Sequence, residues 1–146
     1  RIVNHRRLGE EPRVEPVMSR ETLLENCALA ARVYLPAPVS NYIARLVNAT
    51  HPGESACAEG VKFGSSPRAA IGLAAAARAH ALLDGRPHAG FEDVRAVAAP
   101  VLQHRIILRY EAKLEGSTGA SVVAALLEEV KPERAALPRS LSDAKL

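Results

Sequence analysis

The stretch PRAAIGLAAAARAHALLD, residues 67–84, constrains this chain more than any other. Alanine and leucine are strong helix formers, and no β-branched run interrupts them except a lone isoleucine. Pro67 suits the first helical position, Ser65 or Ser66 can cap it, and Gly85 supplies a stop. The helix is apolar around most of its circumference, so it must be covered on several sides. A chain of 146 residues provides that cover by packing further helices around it in one domain. With aromatic residues at 3%, sheet content should be small. The expected fold is mainly all-α, a small bundle of about five helices.

The other helices follow from apolar spacing. Ser19 caps a helix running to Arg32, with Glu21 in its first turn. Arg20, Leu24, Cys27, Ala28 and Ala31 share one side, and the last four make an apolar stripe in which Cys27 reads as a small buried hydrophobe. Pro36 and Pro38 end that helix and begin a second, carrying Val39, Ile43, Leu46 and Val47. Residues 52–65 read as a long loop, of the kind that is usually functional. A fourth helix begins at Phe91 and carries Val94, Val97, Ala98 and Val101. Pro100 should kink or break it. Gly90 holds its cap position, and His104 and Arg105 suit its C-terminal end. A fifth helix starts near Thr118 with Val122, Val123, Leu126, Leu127 and Val130. Val33-Tyr34-Leu35 and Ile106-Ile107-Leu108 are two short extended pieces, expected to pair as one two-stranded β unit. Residues 1–17 read as a linker, 18–131 as the helical domain and 132–146 as a disordered tail. The opening RIVNHRR reads as the middle of a longer protein.

Most chemistry is excluded. The histidines His5, His51, His80, His88 and His104 have neither an i, i+4 histidine partner nor a cysteine at ligand spacing, so no metal site is expected. No G-x-S-x-G elbow or Cys–His context is present, and GxxxxGK[ST] does not occur, so the chain alone cannot hold ATP in the P-loop manner. No apolar run is long enough to span a membrane. Two cysteines outside any C-x-x-C suggest a reduced, cytoplasmic setting. The net charge of +3 leaves one alternative, a stand-alone basic helical module binding DNA or a protein partner. An alanine-rich recognition helix would carry few side chains able to reach base edges, so nucleic acid is disfavoured.

Arg68 remains to be explained. It falls in the first turn of the 67–84 helix, an end that carries about half a positive charge, where a cation costs roughly 0.3–1 kcal/mol. The position is poor for helix stability and good for an anion, since a guanidinium and the helix end then face one phosphate. Gly64-Ser65-Ser66 before it allow close backbone approach.

Four stretches carry a family resemblance: NYIARLVNATHP at 41–52, GSSPRAAIGLAAAARAHALLDGR at 64–86, FEDVRAVAAPVLQHRIIL at 91–108, and Glu115-Gly116. In this order the chain resembles, from about residue 15 to 130, the C-terminal helical lid of the MoxR family of AAA+ ATPases. The resemblance implies a P-loop core that precedes the lid, ATP and Mg²⁺ bound with that core rather than by this segment alone, and a hexameric ring. It implies chaperone-like remodelling of client proteins, often beside von Willebrand factor A proteins. It also implies that Arg68 is the sensor II residue reaching the γ-phosphate, with Ser66 and Pro67 positioning it. No catalytic residue is expected within this segment. His104 and Arg105 match the family pattern without an implied role.

Overall fold

The computed structural model describes residues 15–132. The expectations for a linker over 1–17 and a tail over 132–146 therefore lie almost entirely outside the described residues. Within them the chain forms six α-helices: α1 (Arg20–Arg32), α2 (Ala37–Asn48), α3 (Pro67–Leu83), α4 (Phe91–Leu102), α5 (Tyr110–Leu114) and α6 (Gly119–Glu129). Strands β1 (Val61–Phe63) and β2 (Ile107–Leu108) form one antiparallel pair. The mainly helical bundle with one small β pairing is as expected, with the five-residue α5 as the additional helix.

The alanine-rich α3 is central. Ala69, Leu73, Ala77 and Ala81 recur every fourth residue and are fully buried. Three of the four are alanines, so the partner helix can approach closely, and α3 makes its most extensive contact with α4 while also meeting α1 and α2. α2 contributes Val39, Tyr42, Ile43, Leu46 and Val47 to the core, α4 contributes Val94, Ala98 and Leu102, and α6 contributes Val122, Val123 and Leu126. Tyr42 and Phe91 meet edge to face at 5.5 Å between ring centroids, joining α2 to the start of α4.

Four expectations need correction. First, Ile107-Leu108 is a strand, but its partner is Val61–Phe63, inside the segment read as a loop, with Val61 opposite Leu108 and Phe63 opposite Ile107. Tyr34 instead makes a single parallel bridge: its N–H donates to the Pro87 carbonyl and its carbonyl accepts from the Ala89 N–H. Pro36 has no N–H with which to extend that ladder. Second, Cys27 is exposed, and no residue of α1 is buried. Third, α4 is not broken at Pro100. It runs on to Leu102, and the chain then tightens into a 3₁₀ turn, Gln103–Arg105. Arg105 Nε donates to the Val101 carbonyl at 3.0 Å, which fits the helix-end role expected for it. Fourth, the Ser66 side chain caps nothing.

Asp93 fixes α3 against α4. It sits in the first turn of α4 with no solvent exposure. Its carboxylate accepts from the Gly90 N–H at 2.7 Å, from both terminal nitrogens of Arg86, and from His80 Nδ1 at 2.6 Å. Burial alone would push this carboxyl up. The hydrogen bonds from Arg86, Gly90 and His80 outweigh it and hold its pKa at about 2. The carboxylate is therefore ionised and only accepts, so His80 carries its proton on Nδ1. In turn Asp93, and after it Asp84, raise the Arg86 guanidinium above its ordinary value. One buried anion thus joins the last turn of α3, the turn after it and the first turn of α4.

Because Asp93 is held below the ordinary carboxylate value of about 3.9, the stability it contributes through that shift is fully present above that pH. It is lost as the pH falls towards 2. Urea unfolding at stepped pH should show the midpoint dropping across this window, and Asp93→Asn should remove that part of the slope. Asp93→Ala should cost about 3 kcal/mol at neutral pH, since it leaves Arg86 and the Gly90 N–H without their acceptor.

Candidate functional site

The candidate site is the exposed N-terminal end of α3, and a buried hydroxyl sets its position. Thr50, just past the end of α2, is fully buried. Its Oγ1 donates to the Val47 carbonyl at 2.7 Å and accepts from the Ser65 N–H at 2.8 Å. The chain entering α3 is thereby pinned to the end of α2. Gly64 makes this approach possible. A Cβ there would lie 2.7 Å from the Thr50 carbonyl oxygen and 2.9 Å from His51 Cα. The close backbone approach expected of Gly64 is therefore used against the protein's own chain. Ser65 follows, fully buried, with a hydroxyl that has no hydrogen-bond partner.

Ser66 stands at the N-cap with extended backbone, and Pro67 occupies the first turn. The start of α3 is set by the fixed φ of Pro67 and by the Ala69 N–H donating to the Ser66 carbonyl at 2.8 Å. Ala69 is fully buried while Arg68 beside it is exposed. A helix cannot turn one of these without the other, so the packing of Ala69 directs Arg68 outward. Among the described residues Arg68 has neither a hydrogen bond nor an ion pair. The first turn of α3 contains no acid, and no side chain caps it. Ile71, on the same face one turn on, is 70% exposed. Beside this end lies a shallow groove of about 280 Å³ lined by Val47, Asn48, His51, Ser65, Pro67 and Ala70 among others. A guanidinium without a partner among the described residues, uncapped N–H groups and open access together suit an anion.

The sequence sets Ser66 and Pro67 at the start of α3 and Arg68 in its first turn, as the structure does, but gives no sign of Thr50. A threonine after a helix gives no signal of the residue it will hold. Nor does the sequence show that His80, Asp84 and Asp93 converge closely enough to offer three ligand atoms to a cation. Arg86 already spans both carboxylates, 3.0 Å from Asp84 Oδ2 and closer still to Asp93 Oδ1, so the protein supplies its own cation at that place.

Thr50→Val keeps the shape and removes the acceptor for the buried Ser65 N–H. It should cost about 1–3 kcal/mol in urea unfolding. Ser66→Ala should stay within about 0.5 kcal/mol, because no cap bond is lost. A cost of about 1 kcal/mol or more, typical of a working N-cap, would contradict the geometry.

Comparison with known proteins agrees with this architecture. The family model for the AAA lid domain matches residues 53–126. The chaperone MoxR1 of Mycobacterium tuberculosis is 34% identical over 133 residues, covering 88% of this chain and 35% of that protein. The MoxR protein of Paracoccus denitrificans is 46% identical over 67 residues, covering 44% of this chain and 20% of its own length. A crystal structure from Cytophaga hutchinsonii, assigned as an ATPase, superposes with a TM-score of 0.68 at 32% identity, over 73% of this chain and 34% of that one. The chain thus spans about a third of the length of the M. tuberculosis protein and of the C. hutchinsonii structure.

Proposed function

Because the chain belongs to the AAA lid domain family, and its relatives are MoxR proteins, we propose that it is the lid of an ATP-hydrolysing MoxR-type machine and that Arg68 senses the terminal phosphate of ATP held on a P-loop core. The observation that carries this reading is the unpartnered guanidinium of Arg68 on a rigidly seated helix end. A first-turn arginine facing an uncapped helix terminus is unfavourable until an anion arrives.

The residues of this chain have defined tasks in that reading. Arg68 stays cationic at any physiological pH and donates through a planar fork suited to phosphate oxygens. Pro67 presets the helix start, Ser66 provides the N-cap turn, and the Thr50–Ser65 bond holds both in place. The Asp93 network makes α3 and α4 move as one body, so a displacement of Arg68 is transmitted to the whole lid. ATP, when bound, supplies the γ-phosphate anion. In this reading Mg²⁺ and the attacking water belong to the core. The proposal extends to a cytoplasmic hexameric ring remodelling client proteins, with von Willebrand factor A proteins as candidate partners.

Arg68→Ala in the full-length protein should lower ATP turnover at least about tenfold with the melting temperature unchanged. Arg68→Lys should recover only part of it, because an ammonium lacks the fork. Wild-type turnover in Arg68→Ala would overturn the assignment. In the basic-module alternative, DNA would be bound at low salt and lost steeply as salt rises.

A further inference from the structure

We propose that the outer face of β1, β2 and α5, formed by Phe63, Ile107, Tyr110 and Leu114, is a docking surface for a segment of a partner protein in which carboxylates stand beside apolar side chains. The inference is independent of the Arg68 reading.

A slip in the strand pairing makes this face. Side chains alternate along a strand, so Val61 and Phe63 would share the inner side. Regular antiparallel pairing from Val61 opposite Leu108 would set Phe63 opposite Ile106, which is buried. Instead the register shifts by one residue, and Phe63 stands opposite Ile107. Val61 and Leu108 are buried, whereas Phe63 is 58% and Ile107 52% exposed. The irregularity turns an aromatic side chain from the core to the surface, and a bulge that re-aims a side chain in this way is a feature of functional sites.

The short helix α5 extends the surface. Its Ala112 is buried, and a Cβ at Gly60 would lie 2.8 Å from Ala112 Cβ, so α5 is seated tightly on the chain entering β1. The Arg109 N–H donates to the Gly60 carbonyl at 2.9 Å and holds the junction. Tyr110 and Leu114 fall on the side of α5 opposite Ala112, and each is 70% exposed. The chain has three tyrosines and two phenylalanines, and two of these rings stand in the open here. Single exposed apolar residues are ordinary. Four together, two of them aromatic, mark a contact surface.

The charge around the face selects its occupant. The Lys62 ammonium lies 5.5 Å from the centre of the Phe63 ring. Arg109 stands between Ile107 and Tyr110 in the chain, and Lys113 flanks Tyr110 and Leu114 on α5. All three cations are exposed, and among the described residues none is in an ion pair. Glu111 lies on the other flank of α5, while Glu59 and Glu115 lie before β1 and after α5. An apolar centre with cations beside each of its parts suits a segment that brings carboxylates next to leucine or aromatic side chains. Face-to-face pairing of two copies would set Lys62, Arg109 and Lys113 against their own kind. Nucleic acid is the poorer fit, since Ile107 and Leu114 offer no ring for a base to stack on and Glu111 would repel phosphates.

The test is selection of random peptides displayed on phage against the full-length protein, followed by fluorescence anisotropy of the enriched peptides. Two variants serve as controls, Phe63→Ser/Tyr110→Ser/Leu114→Ser and Lys62→Glu/Arg109→Glu/Lys113→Glu. All six side chains are exposed, so both variants should keep the wild-type melting temperature, and either one decides the question if the other unfolds. The enriched peptides should carry aspartate or glutamate beside apolar residues. They should bind each variant at least about tenfold more weakly than the wild type, and the wild type more weakly as salt rises. Enriched peptides that lack acids, or that bind the variants as tightly as the wild type, would overturn the proposal, as would a failure of any peptide to enrich. Oligomers that dissociate in the first variant would overturn it too, because the face would then join two copies. So would an oligothymidylate that displaces the peptides, because the face would then read nucleic acid.

Discussion

A carboxylate with no contact to water sets the geometry of this domain. Asp93 is buried and ionised, and it remains so only because four donors surround it: the Gly90 N–H, His80 Nδ1 and two nitrogens of Arg86. Removing any one of them leaves a buried charge short of partners, and that asymmetry makes such networks rigid. Since the donors come from the end of α3, the following turn and the start of α4, the network fixes the angle between the two most extensively packed helices. The alanine seam of α3 adds closeness, and Asp93 adds register.

The other end of α3 is built on the opposite principle. Thr50, Gly64 and Ser65 seat it firmly, so its position is as well defined as the Asp93 end. What it presents is left unsatisfied among the described residues: an arginine without a partner, a serine that does not cap, and no acid in the first turn. One helix is thus saturated with interactions at its C-terminal end and open at its N-terminal end. A helix held this way can report an anion at its open end by moving its whole body, which is what a lid that closes on nucleotide needs.

Much of this was legible in the sequence because it follows from helical spacing. The stripes of α2, α3, α4 and α6, the cap at Ser19, the helix start near Thr118, and the odd placement of Arg68 all come from residue types at fixed offsets. What was not legible depends on meetings between distant residues. Asp93 reads as an ordinary first-turn acid until Arg86 and His80 converge on it. Val61–Phe63 is a three-residue strand among glycines and serines, visible only once Ile107–Leu108 lies beside it. Cys27 was read as buried because Leu24, Cys27, Ala28 and Ala31 share one side of α1, but that side is not packed against the rest of the described bundle.

The central claim is that Arg68 recognises the phosphate that distinguishes ATP from ADP. The most direct measurement is the affinity of the full-length protein for a non-hydrolysable ATP analogue and for ADP, wild type against Arg68→Ala, by titration calorimetry. The account predicts that the analogue binds about tenfold more weakly in the variant, the loss of one charge-assisted contact of about 1.4 kcal/mol, while ADP is unaffected. Equal weakening of both nucleotides, or no weakening of either, would contradict it.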